Sequence, residues 1–411
     1  MKRNSILILA LTLLFAIPMM AENGMNSPYT RYGFGQLASM ETGTNKGMGG
    51  TGIGVQGSNQ INMLNPASYA AIDTLTFLLD VGMSLQNANF SENGIKMNAR
   101  NTTFDYLAMQ FRLMPHLGFT LGMMPFSNIG YNFSNTISKN EDGTQTATLL
   151  YNGTGGLRQV TAGIGYAPIK GLSIGANLAY VYGEIAHNIH TQFSDPDATS
   201  MSKAYVADIT TYKAELGLQY RATMGKNSLT IGATYQPGHI IDDEAYVVHR
   251  MTTNDTISRS HLSIPTKYGV GFSFNHDKRL TIAADYSVEQ YGAADFFGTR
   301  GADRHRASVG FEYIPELINR NLLRRARYRG GLHYATSYYT INGQQGPTEY
   351  GATLGIGLPI MNAWNGKSII NISGQAIHMR PNTPGLITEN YLRLHIGISV
   401  NETWFNKWKV Q

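Results

Sequence analysis

Apolar residues alternate with polar residues or glycine along most of the chain from about residue 75 to the C-terminus. The last clear stretch, residues 390–402, shows this pattern best. Its apolar positions are Leu392, Leu394, Ile396, Ile398 and Val400. A period of two places alternate side chains on opposite faces of a β-strand. The pattern therefore predicts strands whose apolar face contacts either a second sheet, as in a soluble sandwich, or lipid, as in a membrane barrel.

The N-terminus has the features of a secretory signal sequence, predicted over residues 1–21. A basic start precedes a mostly apolar run from Ile6 to Ile17, and Ala21 offers a cleavage site. The apolar run is shorter than the roughly 20 residues of a transmembrane helix. The chain has no cysteine, which excludes disulfides, a lipid-anchored cysteine and thiolate metal sites. The protein is therefore predicted to be exported, either as a soluble β protein or as a bacterial outer-membrane barrel.

Composition favours the barrel. Charged residues make up 14% of the chain, against roughly 25% in an average soluble protein. Glycine (45) and tyrosine (24) are abundant, while hydrophobic residues reach only 42%. This balance suits a wall with one face in lipid and the other in water. The net charge of +5 is spread along the chain, so no nucleic-acid partner is expected.

The alternation predicts an all-β fold, a single antiparallel barrel of about fourteen strands over residues 74–411. The predicted strands run near 74–89, 99–113, 116–127, 157–168, 171–193, 204–223, 228–249, 258–276, 279–290, 304–314, 325–340, 348–359, 367–379 and 390–402. Short turns alternate with longer connections such as 128–156, which is typical of outer-membrane barrels. The alternative is a soluble all-β array, such as a propeller or tandem sandwiches. It predicts an internal repeat that the chain lacks.

Glycine occupies many of the positions that alternation assigns to the inside of the barrel. These positions are Gly82, Gly122, Gly163, Gly165, Gly175, Gly217, Gly232, Gly269, Gly271, Gly310, Gly331, Gly351, Gly355 and Gly397. Glycine inside a strand often marks the close approach of another backbone. The glycine-rich residues 22–73 show little alternation, and we predict that they form a plug in the lumen. The alternative is a disordered periplasmic tail.

Antiparallel pairing of neighbouring strands also places opposite charges side by side on the lumen wall. Such pairs would be structural, because they satisfy a polar wall where the lumen is narrow or plugged. The predicted lumen ion pairs are Glu289 with Arg304 and Arg306, and Glu312 with Arg327 and Arg329.

A glycine run and an Asn-Pro-Ala motif precede the first strand. Together with the signal sequence and the fourteen strands, they resemble the FadL family of outer-membrane transport proteins. The opening residues 26–33 are similar to the Bacteroidetes-type branch of that family. The resemblance implies that residues 22–73 are an N-terminal hatch that plugs the barrel. The matching hatch positions are Gly49, Gly50, Gly52, Asn65, Pro66 and Ala67.

The resemblance implies passive uptake of hydrophobic small molecules across the outer membrane. In that family the ligand leaves sideways through an opening made by a kink in the third strand. Met124 and Pro125 are the matching positions, although Pro125 could also simply end the strand. Some members of the branch look like accessory barrels of protein secretion or outer-membrane assembly complexes. A non-transporting scaffold with an outer-membrane protein partner is therefore the alternative function.

Enzymatic function is not expected. The chain contains no Gly-x-Ser-x-Gly, His-Glu-x-x-His or phosphate-loop motif. His187 and His190 lie three apart on a predicted strand and face opposite sides, so they cannot share a metal. No catalytic residue, metal ligand or cofactor is therefore assigned. The expected partners are outer-membrane lipid, a hydrophobic ligand and an outer-membrane protein.

Overall fold

The computed structural model describes residues 25–92, 94–138, 145–195, 197–250, 255–360 and 368–403. The predicted signal sequence lies outside these ranges. Within them, no helix is long and apolar enough to cross a membrane.

The described residues form one antiparallel sheet that closes on itself, because the first wall strand pairs with the last from Thr76↔Thr403 to Ser91↔Thr388. In chain order the strands are β1 (Gln36–Leu37), β2 (Thr76–Glu92), β3 (Ile95–Met114), β4 (Leu117–Pro125), β5 (Ser127–Ser138), β6 (Thr146–Ile169), β7 (Leu172–Phe193), β8 (Met201–Met224), β9 (Asn227–Gln236), β10 (His239–Arg250), β11 (Asp255–Ile264), β12 (Lys267–His276), β13 (Leu280–Glu289), β14 (Asp295–Phe296), β15 (Thr299–Arg300), β16 (Arg304–Tyr313), β17 (Arg327–Ala335), β18 (Thr340–Ile341), β19 (Gln344–Gln345), β20 (Thr348–Ile360), β21 (Ser368–Arg380) and β22 (Thr388–Thr403).

The wall of the barrel has fourteen strands, which confirms the predicted fold class. Three of them are each divided into two pieces: β4 with β5, β9 with β10, and β11 with β12. The short strands β1, β14, β15, β18 and β19 add to this wall or lie beside it. The helices are also short: α1 (Gly43–Gly47), α2 (Leu322–Arg325) and three 3₁₀ turns, Pro28–Arg31, Pro66–Ala71 and Tyr291–Ala293.

The predicted long loop at 128–156 is wrong, because β5 and the first part of β6 occupy most of it. We call the end of the barrel that holds the start of β2 and the end of β22 the lower rim, and the opposite end the upper rim. The strands β6, β7 and β8 have 24, 22 and 24 residues and rise well beyond the roughly 9–11 that cross a bilayer. Alternation failed for β5 and the first part of β6, because a strand whose outer side is in water needs no apolar outer face.

The outer face of the wall carries an apolar band with tyrosines at its edge. On β7 the side chains of Ile174, Leu178 and Tyr180 point outward and are 44%, 59% and 52% exposed. Above Tyr182 the outward positions of this strand turn polar, beginning with Glu184. Such a band with an aromatic edge is typical of a barrel in lipid.

Residues 25–75, called here the inner segment, lie inside the barrel. The 3₁₀ turn Pro66–Ala71 contacts β4, β6, β7 and β8, and α1 contacts β17, β20, β21 and β22 on the other side of the lumen. Most side chains of this segment are buried, including Phe34, Met63 and Tyr69 at 0% exposure. The core of the molecule is therefore the lumen of the barrel, packed between the wall and the inner segment.

Candidate functional site: the occupied lumen and the lateral seam

Inward glycines of the wall leave room for the backbone of the inner segment. A Cβ atom on Gly165 would lie 2.6 Å from the carbonyl oxygen of Pro66, and one on Gly331 would collide with the backbone of Met48 and Gly49. A side chain at either position would push the segment away from the wall. The predicted inward glycines that meet the inner segment are Gly122, Gly163, Gly165, Gly175, Gly217, Gly232, Gly269, Gly271, Gly310, Gly331 and Gly355. Gly82 and Gly397 instead make room for Tyr106, and Gly351 for His333.

The Asn-Pro-Ala motif fixes the 3₁₀ turn and ties it to the wall. The Asn65 side chain accepts a hydrogen bond from the Ala67 backbone N–H at 3.0 Å, which caps the turn. Its Nδ2 donates to the carbonyl oxygens of Ile53 at 2.9 Å and of Leu218 in β8 at 3.2 Å. Pro66 occupies the first position of the turn, where no N–H is needed.

The glycine run 47–54 bridges two distant parts of the wall. Gly49 and Gly50 have φ angles of +69° and +81°, which favour glycine. The Gly49 N–H donates to Thr353 Oγ1 of β20 at 2.9 Å. The N–H groups of Gly52 and Ile53 donate to one carboxylate oxygen of Asp285 in β13, at 2.6 and 2.8 Å.

Glu312 in β16 faces the lumen between two arginines of β17. Its carboxylate oxygens lie 3.1 Å from Arg327 Nη1 and 2.7 Å from Arg329 Nε. Arg329 also donates from Nη1 to Asn371 Oδ1 of β21 at 2.6 Å. The Glu312 carboxylate is thus paired with two guanidinium groups, and Arg329 has a further acceptor in Asn371, while its Nη2 is buried without a hydrogen-bond partner.

The predicted pairing of Glu289 is right for Arg304 and wrong for Arg306. Glu289 lies 3.4 Å from Arg304 and 3.7 Å from Lys267. Arg306 stands opposite Ser287 in the register of β13 and β16, and its Nη2 is 2.6 Å from Glu41 Oε1 of the inner segment. Arg306 therefore binds the inner segment through Glu41 instead of pairing with a residue of the neighbouring strand.

The Glu41 carboxylate is buried at 5% exposure. Burial alone would raise its pKa, but the guanidinium of Arg306 and the ammonium of Lys46 outweigh burial and lower the pKa to about 2. The ion pair between the inner segment and the wall is therefore charged at any ordinary pH.

Sequence reasoning missed a polar cluster between β2, β3 and β22. Asp105 Oδ2 lies 3.4 Å from Lys46 Nζ of α1, accepts a short hydrogen bond from Ser84 and approaches His395 Nδ1 at 3.3 Å. Ser84 Oγ is 2.6 Å from the same nitrogen of His395. A serine hydrolase needs serine and aspartate on opposite nitrogens of the histidine, so this cluster is no catalytic relay.

Asp105 reaches this cluster through a β-bulge. The register of β2 and β3 shifts between Gly82 and Met83, so that Asp105 has no partner on β2. Simple alternation would place this aspartate on the lipid face, together with Leu107. The sequence does contain an indication of this bulge: an acidic residue stands at a position that simple alternation assigns to the apolar outer face.

The third wall strand is divided at the predicted kink. Met124 and Pro125 end β4, which pairs with β3 as far as Leu107↔Met123. After Phe126 the chain continues as β5, which pairs with β6 and with β1 of the inner segment. In the described residues β5 has no pairing with β3. The wall therefore has a seam between the upper part of β3, residues 95–106, and β5.

The start of the inner segment lies along this seam. Asn26 Nδ2 donates to Asn101 Oδ1 of β3 at 3.1 Å, on one side of the seam. On the other side, the Thr30 hydroxyl contacts the backbone of Gly130 at 3.3 Å, and β1 pairs Gln36↔Asn128. The seam is thus lined by the chain's own backbone.

Apolar side chains fill the upper part of the lumen. Phe34 of the inner segment packs edge-on against Phe126 and Phe296, with ring centroids 5.7 and 4.9 Å apart. Tyr338 donates a hydrogen bond to the Tyr32 carbonyl at 3.0 Å. Cavities of about 90 and 60 Å³ remain beside the segment, far below the roughly 300–1,000 Å³ of ligand pockets.

The model of the BamG family matches residues 1–411, the whole chain. The chain belongs to the BamG family. A search of curated proteins returns no match.

The BamG-family chain is similar in structure to several solved barrels. The CymD monoaromatic hydrocarbon channel is 14% identical, with 89% of this chain and 98% of that chain covered and a TM-score of 0.56. The toluene transporter TbuX of Ralstonia pickettii is 15% identical (89% and 98% covered, TM-score 0.57), and a FadL homologue of Pseudomonas aeruginosa is 12% identical (91% and 100% covered, TM-score 0.59). At these identities the likeness shows the FadL-type fold alone. The Bacteroidetes-type branch stays a prediction.

Proposed function

We propose that this protein is a bacterial outer-membrane barrel that works as a non-transporting accessory of an outer-membrane protein secretion or assembly complex. The observation that carries the proposal is the occupied lumen. In this proposal the chain has the three parts that its sequence predicts, a signal sequence over residues 1–21, a permanent plug over 22–73 and the barrel over 74–411.

The way the inner segment is held supports a permanent plug. It contacts the wall on several sides, through Asn65 at β8, Gly49 at β20 and the Arg306–Glu41 pair at β16. Removing one partner of a buried ion pair costs about 3–5 kcal/mol because the other charge is left unpaired. A transport cycle would have to break several such contacts.

Uptake of hydrophobic small molecules is the second candidate. The seam between β3 and β5 favours it, since a gap in the wall would give an apolar molecule a sideways exit into the membrane. The fold is shared with hydrocarbon channels, and the upper lumen is apolar. For this function the start of the inner segment would have to leave the seam.

A reversible disulfide between the inner segment and β5, at one side of the seam, distinguishes the two functions. Gln36 and Asn128 are cross-strand partners, and the Cα separation of such partners suits a disulfide. The chain has no other cysteine. The double variant Gln36→Cys/Asn128→Cys would lock the segment when oxidised and release it when reduced. The matched control is Thr136→Cys/Thr148→Cys, a facing pair of β5 and β6 that does not involve the inner segment.

Two measurements are made on each protein. The first is the amount of other barrel proteins in the outer membrane of cells depleted of the native protein and complemented with the variant. The second is the entry of labelled toluene or oleate into vesicles that contain the purified protein. The accessory role predicts full complementation by the oxidised seam variant, reduced barrel protein levels on depletion, and entry no faster than into empty vesicles. Entry that stops on oxidation and returns on reduction, in the seam variant alone, would establish uptake instead.

A further inference from the structure

The upper edge of the apolar band on β21, β22, β2 and β3 carries an unusual set of outward residues. On β2 the band ends at Leu85, and the next outward residue is Asn87. Asn87 pairs with Leu392 of β22 on one side and with Arg100 of β3 on the other. Arg100 therefore stands where the outer face passes from lipid to water.

A groove crosses the outer face at this level. It has a volume of about 430 Å³, within the range of ligand sites. Leu392 and Leu394 of β22 form one side of it and Leu85 and Asn87 of β2 its middle, while Arg100 and Thr102 of β3 form the other side, with Arg100 at the upper level beside Asn87. Leu392 is 60% exposed. Gly374 of β21 pairs with Leu394 and has no atom near a Cβ position, which leaves the neighbouring wall flat. The groove is thus apolar on its β22 side and cationic at the upper end of its β3 side.

The charges above the band have one sign on this side of the barrel. The basic outward residues on the four strands are Arg100, Lys96, Arg380 and His378, and the other outward positions above the band are asparagine, serine and threonine. None is a carboxylate. The opposite wall differs, because Glu184 of β7 and Asp208 of β8 point outward just above its band. The basic side is therefore a local feature rather than a property of the whole rim.

We propose that this groove binds lipopolysaccharide, with an acyl chain along the leucines and a phosphate of the glucosamine headgroup on Arg100. In outer-membrane barrels the short turns face the periplasm and the longer loops face outward. We therefore place the upper rim at the outer leaflet, where this phosphorylated lipid lies. Arginine matches phosphate oxygens with two parallel hydrogen bonds, and Lys96 and Arg380, each two outward positions further up the wall, add attraction for a second phosphate. The proposal depends on the placement of the barrel in the outer membrane and not on whether the protein is an accessory or a channel.

The test compares two variants with the same change in net charge. The groove variant is Lys96→Gln/Arg100→Gln/Arg380→Gln. The control is Lys170→Gln/Lys226→Gln/Lys278→Gln, which removes three exposed lysines from the turns of the lower rim. Each protein is extracted from outer membranes in a mild detergent and purified. The 3-hydroxy fatty acids of lipopolysaccharide and the phospholipids are then counted per barrel by mass spectrometry.

We expect the wild-type protein and the control to retain lipopolysaccharide in equal amounts. The groove variant should bind it about tenfold more weakly, a loss of about 1.4 kcal/mol. A heat-modifiability gel checks that both variants fold. Equal retention by the two variants would overturn the proposal, and so would wild-type protein that retains phospholipid but no lipopolysaccharide.

Discussion

At the scale of single residues, the molecule depends on polar contacts between the inner segment and the wall. Asn65, Asp285 and the Arg306–Glu41 pair each join backbone or charge of the segment to a different strand. The polar groups in these contacts are buried and lose their hydrogen bonds to water on folding. Each contact between the segment and the wall compensates for that loss. Loss of one partner therefore leaves the other without compensation, which makes these contacts the most informative sites for mutation.

We predict that Glu41→Gln loosens the inner segment by about 3 kcal/mol, because the Arg306 guanidinium loses its charged partner. The pH dependence has a definite sign. The Glu41 pKa in the folded protein is about 2, below the ordinary value of 4.5, so its stabilisation is complete above pH 4.5 and disappears as the pH falls towards 2. Pepsin cleavage between residues 40 and 60 measures this, since pepsin acts in that pH range.

The wild-type segment should resist pepsin at pH 4.5 and become sensitive near pH 2, while Glu41→Gln should already be sensitive at pH 4.5. The control Arg324→Gln breaks an exposed pair with Glu316 at the lower rim and should behave as wild type. Identical pH profiles for Glu41→Gln and the wild type would show that the pair does not hold the segment.

At the scale of elements, glycine decides where strands and turns can touch. The turn Pro66–Ala71 meets β6, β7 and β8 at Gly165, Gly175 and Gly217, with backbone or Asn65 atoms where side chains would otherwise stand. Glycine has no side chain, so the strands lack cross-strand side-chain contacts at these positions. The backbone of the turn can therefore pack directly against the sheet in the lower lumen.

We predict that Gly175→Val displaces the turn, because a Cβ there would overlap the backbone of Pro66 and Ala67. Such overpacking costs about 1–3 kcal/mol. The matched control is Gly374→Val, which places the same side chain on the outer face, where nothing lies within 4 Å. Ion conductance in planar bilayers should rise for Gly175→Val and stay at the wild-type level for Gly374→Val. Equal conductance of both variants would mean that the turn tolerates the side chain.

At the scale of the whole molecule, the closure of the wall and the filling of the lumen depend on different interactions. The wall closes through backbone hydrogen bonds between β2 and β22, without help from the inner segment. The inner segment lies in the lumen, and its irregular backbone is tolerated at membrane depth only because protein surrounds it. The barrel should therefore survive loss of the segment, whereas the seal should not.

We predict that a chain without residues 26–60 still inserts as a barrel but conducts ions. The deletion removes Phe34, Glu41 and the glycine run. The apolar packing around Phe34 in the upper lumen and the contacts to β13, β16 and β20 are therefore lost together. Heat-modifiability on gels checks insertion, and single-channel recording checks conductance. A truncated barrel as tight as the wild type would show that the wall side chains alone close the lumen.

The sequence by itself determined the wall. A period of two is a local property, so alternation of apolar and polar residues was enough to predict an all-β barrel of about fourteen strands and the outward face of Leu392 and Leu394. Glu312 could be placed beside Arg329 because neighbouring wall strands are predicted to be antiparallel, although residues 314–326 separate β16 from β17. The glycine positions also indicated that another backbone approaches the wall.

Only the tertiary structure decided how that approach is made. The partner of Arg306 is Glu41, which is 265 residues away in the chain and unrelated to it by any strand register. The bulge at Asp105 and the departure of β5 from β3 depend on which groups the inner segment offers at those points. A periodic pattern encodes which face a residue occupies, but a contact between an irregular segment and the wall depends on packing in three dimensions, which no local pattern contains.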